Sequence, residues 1–345
     1  MNPVPCRLEP RFVPRIWGAR SLAPLYPEKT NLFEPIGEVW LTGDDCTLAN
    51  GPWAGKKLAA AWPEMPKFWA GSALNTKAAF PLLIKFLFPD QWLSVQVHPP
   101  DDYARQHEAA AGGVGKTEMW HAISAAPGAS VLVGLKPDVD AATFRKSIDE
   151  KTVENCVERI SIAAGDTIFV PAGTVHTIGP GMVLCEIQEN SDITYRVYDY
   201  GRVQANGQPR ELHIDRAMDV TRFGRQYGGK TRPQHSERSG RTVTLCAACP
   251  YFATEKWELL GRANRATTPE RFELFIILEG SGRIEVPSQP AHTYSRADVW
   301  FMPAGLGAFQ FTPIQPTTLL RTFVPDMPTL LQRFPDAANS QLVFP

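Results

Sequence analysis

The sequence predicts a mainly β protein made of two similar β domains with helical insertions, and three observations carry that prediction. Short strings rich in Val, Ile, Phe, Trp and Thr recur between turn residues: LLIKFLF, WLSVQVH, ASVLVGL, GDTIFVPAG, MVLCEIQE, ITYRVYDY and FELFIILEG. Such closely spaced runs suit a sandwich or barrel rather than alternating β and α units. The string GDTIFVPAG (165–173) returns as ADVWFMPAG (297–305), and each is preceded by a strand-like string with a glutamate, Glu118 in TEMWHAI and Glu273 in FELFIIL. At 345 residues the chain is also about twice the usual single-domain length.

The elements follow in order. The first domain is expected over 1–223, with helical insertions at about 101–111 and 137–160 and a trailing helix over 211–223. DDYARQHEAAA opens on cap-forming aspartates and ends before Gly112-Gly113, while Asp138 and Asp140 begin the second insertion. Residues 224–240 are polar and, with almost no interleaved aromatics, read as a solvated linker rather than a basic patch for an acidic partner. A second β domain over 241–345 is expected to be a degenerate copy without a metal site, because Ala308 stands where the first copy has His176.

Composition narrows the function. The chain is 43% apolar and 21% charged, ordinary for a soluble globular protein. With 35 basic against 36 acidic residues there is no electrostatic reason to expect a nucleic-acid or membrane partner. The N-terminal residues hold no apolar core suited to a signal peptide, and six scattered cysteines fit a reducing cytoplasm.

Strand parity then picks out a site. In WLSVQVH, Ser94, Gln96 and His98 share one face and Leu93, Val95 and Val97 the other. Lys116 and Glu118 share a face in KTEMW, and His176 lies three residues beyond the Gly of GDTIFVPAG. Burying such polar side chains without partners costs several kcal/mol, so a ligand or metal is expected to satisfy them. Gln96, His98, Glu118 and His176 supply a mixed N/O set suited to zinc with one open position. His121 falls on the opposite face from Glu118. His107 and His213 belong to helices, and His235 and His292 to polar loop-like stretches. Cys246-Ala-Ala-Cys249 has no second pair and reads as incidental thiols. Two histidines and a carboxylate also compose the iron(II) oxygenase triad, which Gln96 as an added ligand disfavours, and a non-catalytic binding protein is a third class.

The run Gly165-x5-Pro171-x-Gly173-x2-His176 resembles the second motif of the cupin superfamily, without its trailing Asn. The strings LSVQVHP, KTEMWH, GDTIFVPAGTVHTIG and ENSDITYRVYDYGR, in this order, resemble the zinc-dependent type I mannose-6-phosphate isomerases (phosphomannose isomerases) in their short bacterial form. The resemblance runs from about Arg11 to Val220 and departs at His121, where related short forms carry a tyrosine. It implies two cupin-like jelly-roll barrels and one Zn²⁺ per chain on Gln96, His98, Glu118 and His176. It also implies a sugar-phosphate substrate and interconversion of mannose 6-phosphate and fructose 6-phosphate through a cis-enediol(ate). Arg196 matches the family's active-site arginine and Asp192 its NSD acid. Asp192, Thr194 and Arg196 share a strand face, so Asp192 is expected to shuttle a proton or fix Arg196. Lys116 is expected to act as a base or to sense phosphate, and Ser94 to hydrogen-bond the phosphate.

Overall fold

The computed structural model describes residues 2–335 and 337, apart from 205, 225 and 226. It is mainly β, with three antiparallel sheets. The chain divides into two compact units, but not at the expected linker. Residues 12–39 and 85–231 form one unit, while 1–11, 40–84 and 232–345 form the other. The expected 1–223 domain therefore loses its first eleven residues and 40–84 to the C-terminal unit. The proposed 224–240 linker is not a bare connector either: it contains the strands Gly229–Lys230 and Gln234–Arg238. The second of these pairs with Arg241–Ala248 as a mostly exposed edge strand, and an edge needs no apolar alternation to advertise it.

In the unit of 85–231, a five-stranded sheet runs Tyr195–Tyr198, Val95–Val97, His176–Ile178, Ser130–Leu135, Val157–Ser161. Register places His176 opposite Gln96, and Gln96 opposite Arg196, so three predicted site residues form one row across three strands. Val95 and Val97, on the other face, are buried with Phe144, Ile148, Ala217 and Val220 of two helices. Each such side chain contributes roughly 1.5–3 kcal/mol of burial. The helices cover the aliphatic face and leave the Gln96 face for chemistry.

Those helices are shorter than the sequence suggested. Asp140 caps Ala141–Asp149 by accepting from the Thr143 N–H at 2.8 Å, and the segment expected to be helical to 160 ends instead in the strand Val157–Ser161. Asp101–His107 and Ile214–Val220 lie within their expected ranges. His235 and His292, expected in loops, sit on strands.

A second sheet includes, in order, Thr167–Val170, Glu118–Ala125, Met182–Glu189 and Leu82–Leu87. It brings in Glu118, which pairs in register with Val170.

The repeat in the sequence is a repeat in register. In the C-terminal unit, Glu273 pairs with Met302, the residue matching Val170. Yet Glu273 meets no histidine there. Arg321 clamps it with Nε and Nη2 at 2.9 and 2.7 Å, Arg265 adds a second guanidinium, and Arg321 Nη1 reaches Glu255 at 2.9 Å. Ala308 is exposed at the start of its strand. Among the described residues no helix is long and apolar enough to cross a membrane.

Candidate metal centre

Two imidazoles from the five-stranded sheet and its flank meet one carboxylate from the other sheet. His98, Glu118 and His176 are each about 1% exposed, and their ligand atoms all lie within 4.8 Å of one another. The His176 Nε2–Glu118 Oε1 distance is 3.3 Å, and His98 Nε2–Glu118 Oε2 is 3.6 Å. Ligand atoms on a tetrahedral ion with bonds of ~2 Å sit about 3.3 Å apart, so the spacing fits.

The tautomers fit as well. His98 Nδ1 lies 2.8 Å from the Ile193 carbonyl and His176 Nδ1 2.9 Å from that of Thr174. A carbonyl only accepts, so each Nδ1 carries the proton and each Nε2 turns a lone pair toward the carboxylate. Lone pairs facing a buried anion repel unless a cation lies nearby; at His98 Lys116 Nζ fills that place, 3.1 Å from Nε2 and 2.8 Å from Glu118 Oε2. Burial first, then the Lys116 charge, hold both imidazoles neutral, His98 well below the usual histidine range and His176 at about 4. Glu118 Oε2 is buried and lacks a well-directed hydrogen bond, although Lys116 Nζ stands 2.8 Å away. This donor set suits zinc.

Gln96 lies beside the cluster, its Nε2 3.3 Å from His176 Nε2, and Ser94 Oγ donates to Gln96 Oε1 at 3.0 Å. Half a turn of the amide exchanges its oxygen and nitrogen, bringing an acceptor to the imidazole side. Ser94 thus orients Gln96 as well as lining the cleft. Lys116 Nζ also lies 3.1 Å from His98 Nε2.

A cleft of about 660 Å³ reaches the cluster's neighbours Gln96 and Lys116 and is lined also by Ser94, Asp192, Thr194 and Arg196 among others. All three residues of the 192–196 parity argument reach it. Asp192 is at its open wall, its side chain 59% exposed, and Lys85 Nζ stands 3.3 Å from Asp192 Oδ1. Burial works against the Asp192 charge, but Lys85 and Lys116 outweigh it and hold its carboxyl below the usual range. Arg196 Nη1 donates to the Glu211 carbonyl at 3.1 Å, while its Nε is buried without a partner. Among the described residues no carboxylate comes within ion-pair distance of Arg196. It is therefore a cation available to an anion.

Sequence reasoning missed Lys85, Glu186, Arg15, Glu38 and Arg210, which also line the cleft. Lys85 is 3% exposed and draws on Asp192, Glu186 (3.7 Å) and Glu38 (3.9 Å); burial alone would lower its pKa, but these carboxylates push it above the usual lysine range. Arg15 grips Glu38 through Nε and Nη2 at 3.1 and 2.9 Å. Burial, then the Glu118 charge, push the Glu186 carboxyl up to about 7. The signal was present: LLIKFLF and MVLCEIQE each place one or two charges inside an otherwise apolar run, and a strand buried on both faces tolerates a charge only where it is paired.

Fold and site together define an antiparallel β protein with a buried His/His/Glu cluster suited to a metal ion, beside a cleft of about 660 Å³. Mannose-6-phosphate isomerase ManA of Bacillus subtilis is 34% identical over 318 residues, which cover 90% of this chain and 96% of that relative. The chain belongs to the mannose-6-phosphate isomerase family. The crystal structure of the mannose 6-phosphate isomerase from Bacillus subtilis matches with a TM-score of 0.84 and 31% identity, covering 92% of this chain and 99% of that one. A zinc-bound mannose 6-phosphate isomerase shares the fold, with a TM-score of 0.71 at 15% identity over 93% of this chain and 99% of that one. No protein-family model matches the chain.

Proposed function

We propose that this chain is a zinc-dependent aldose–ketose isomerase that interconverts D-mannose 6-phosphate and D-fructose 6-phosphate through a cis-enediol(ate). The observation that carries the reading is the convergence of two lone-pair nitrogens and an under-satisfied carboxylate beneath a cleft lined with acids and cations. His98, Glu118 and His176, with Gln96, hold one zinc per chain. When bound, zinc polarises sugar oxygens without redox chemistry.

The protein's own side chains do the rest. Arg196, which has no ion-pair partner among the described residues, offsets negative charge developing on the substrate. Lys116, fixed against Glu118 and His98, also lines the cleft and orients the anionic sugar. Asp192, held charged by Lys85, passes a proton during ring opening. Glu186, a cleft carboxyl that burial pushes up, is suited to accept a carbon-bound proton and return it. Closely packed acids and bases of opposed pKa are the arrangement such a proton shuttle needs. Both β units are read as cupin-like jelly rolls, the metal-bearing one catalytic and the C-terminal one supporting, in a cytoplasmic enzyme of sugar metabolism.

A coupled assay tests this. Purified protein should turn over mannose 6-phosphate, lose about 10²-fold or more of that rate on chelation, and regain it with Zn²⁺. Full activity after exhaustive chelation, or no turnover of mannose 6-phosphate at any zinc level, would sink the reading.

A further inference from the structure

The Arg196 strand, Tyr195–Tyr198, is the outermost strand of its sheet. On its inner side Arg196 lies opposite Gln96. In an antiparallel pair the N–H and C=O of one residue point the same way, and those of Arg196 point outward, where no strand lies. One residue takes up both. The His213 backbone N–H donates to the Arg196 carbonyl at 2.8 Å, and the Arg196 N–H donates to His213 Nδ1 at 3.4 Å. Two residues earlier, the Glu211 carbonyl accepts from Arg196 Nη1 at 3.1 Å.

The segment 211–213 therefore grips Arg196 at three points, two on the backbone and one on the guanidinium. His213 Nδ1 is the acceptor, so the ring proton belongs on Nε2, which lies 3.7 Å from the exposed Glu211 carboxylate. At its other end His213 precedes the helix Ile214–Val220, and its carbonyl accepts from the Ala217 N–H at 2.9 Å. The helix is anchored in turn, since Ala217 and Val220 pack with Val95, Val97 and Tyr195. The ring thus connects a rigid packed element to the backbone of one cleft residue.

We propose that His213 is the positioning residue for Arg196: its ring nitrogen and backbone N–H stand in for the missing neighbouring strand and fix where the guanidinium enters the cleft. This rests on the isomerase reading, in which Arg196 faces the charge developing on the substrate. Without the ring acceptor the Arg196 N–H is left to compete for water, the outer strand gains freedom, and the guanidinium spreads over several positions. A displacement of about 1 Å at such a group is enough to cost about 10²-fold in rate.

The experiment is a double-mutant cycle on the zinc-loaded full chain with mannose 6-phosphate. His213→Ala should lower kcat by about tenfold or more with zinc content unchanged. His213→Asn, whose Oδ1 occupies the Nδ1 position, should recover activity to within about threefold of the parent. In an Arg196→Ala background, His213→Ala should cost no further activity, because the group it positions is gone. A full additional loss in that background overturns the proposal, as does an Asn variant as impaired as the Ala variant. Should His213→Ala unfold the chain, His213→Asn and His213→Gln carry the test, Asn active and Gln, with its acceptor displaced by one methylene, impaired. Failure of the isomerase reading looks different: the parent itself would not turn over the sugar phosphate.

Discussion

Glu118→Gln is expected to cost the chain its bound divalent ion and its turnover of mannose 6-phosphate together. The substitution preserves shape and removes one charge, so the packing of a side chain that is 1% exposed is retained. What it changes is the balance of the cluster. Two neutral imidazoles and neutral amides would then face a cation with Lys116 Nζ close by, and the ligating anion that offset the repulsion would be gone. Loss of a group that merely orients a ligand typically costs 10–100-fold in metal affinity or activity, so loss of the anionic ligand itself should exceed about 10²-fold. Zinc per chain by mass spectrometry and the coupled assay, run on the same preparation, check this. A variant that keeps full zinc and full rate would remove Glu118 from the site.

The legible part of this site was the part that obeys parity. Ser94 and Gln96 alternate with Val95 and Val97 because one face of their strand lies under helices and the other lines the cleft; Leu93, ahead of the strand, departs from the rule and lines the cleft too. Glu118 and His176 followed from motif and repeat. Lys85 and Glu186 were harder, since their strands are buried on both faces and present no alternation. Arg15 and Glu38 come from far upstream, and only tertiary folding brings them to the same cleft. The domain boundary was illegible for a related reason: residues 40–84 join the C-terminal unit through long-range packing, which leaves no local mark. The edge strand Gln234–Arg238 is polar enough to pass for a loop.

The second large effect is on stability. Arg321→Met should destabilise the chain by about 3 kcal/mol, because removing one partner from a buried ion network strands the others. Arg321 is 3% exposed, and Glu255 and Glu273 are 0% and 1% exposed. The cost falls at the lower end of the usual range because Arg265 still reaches Glu273 and Arg333 still reaches Glu255 at 2.9 Å. Urea unfolding of parent and variant measures it, and a difference below about 1 kcal/mol would show that the guanidinium contributes little.

The same network sets an acid limit. Burial would raise the Glu273 pKa, but Arg321 and then Arg265 outweigh it and bring it down to about 2, from an ordinary 4.5. A depressed carboxyl stabilises the fold above its unfolded pKa and ceases to do so as the pH falls through the folded one. The contribution of Glu273 should therefore fade between pH 4.5 and about 2, and should be missing from the acid-unfolding profile of Glu273→Gln.

The matching register of Glu118 and Glu273 has a further meaning for supply. One unit leaves its buried carboxylate facing two imidazoles, a set open to a cation from solution, and the other closes it with a guanidinium carried in its own chain. Chelators have no hold on that second cation, so the Glu273–Arg321 pair stands whatever the metal supply.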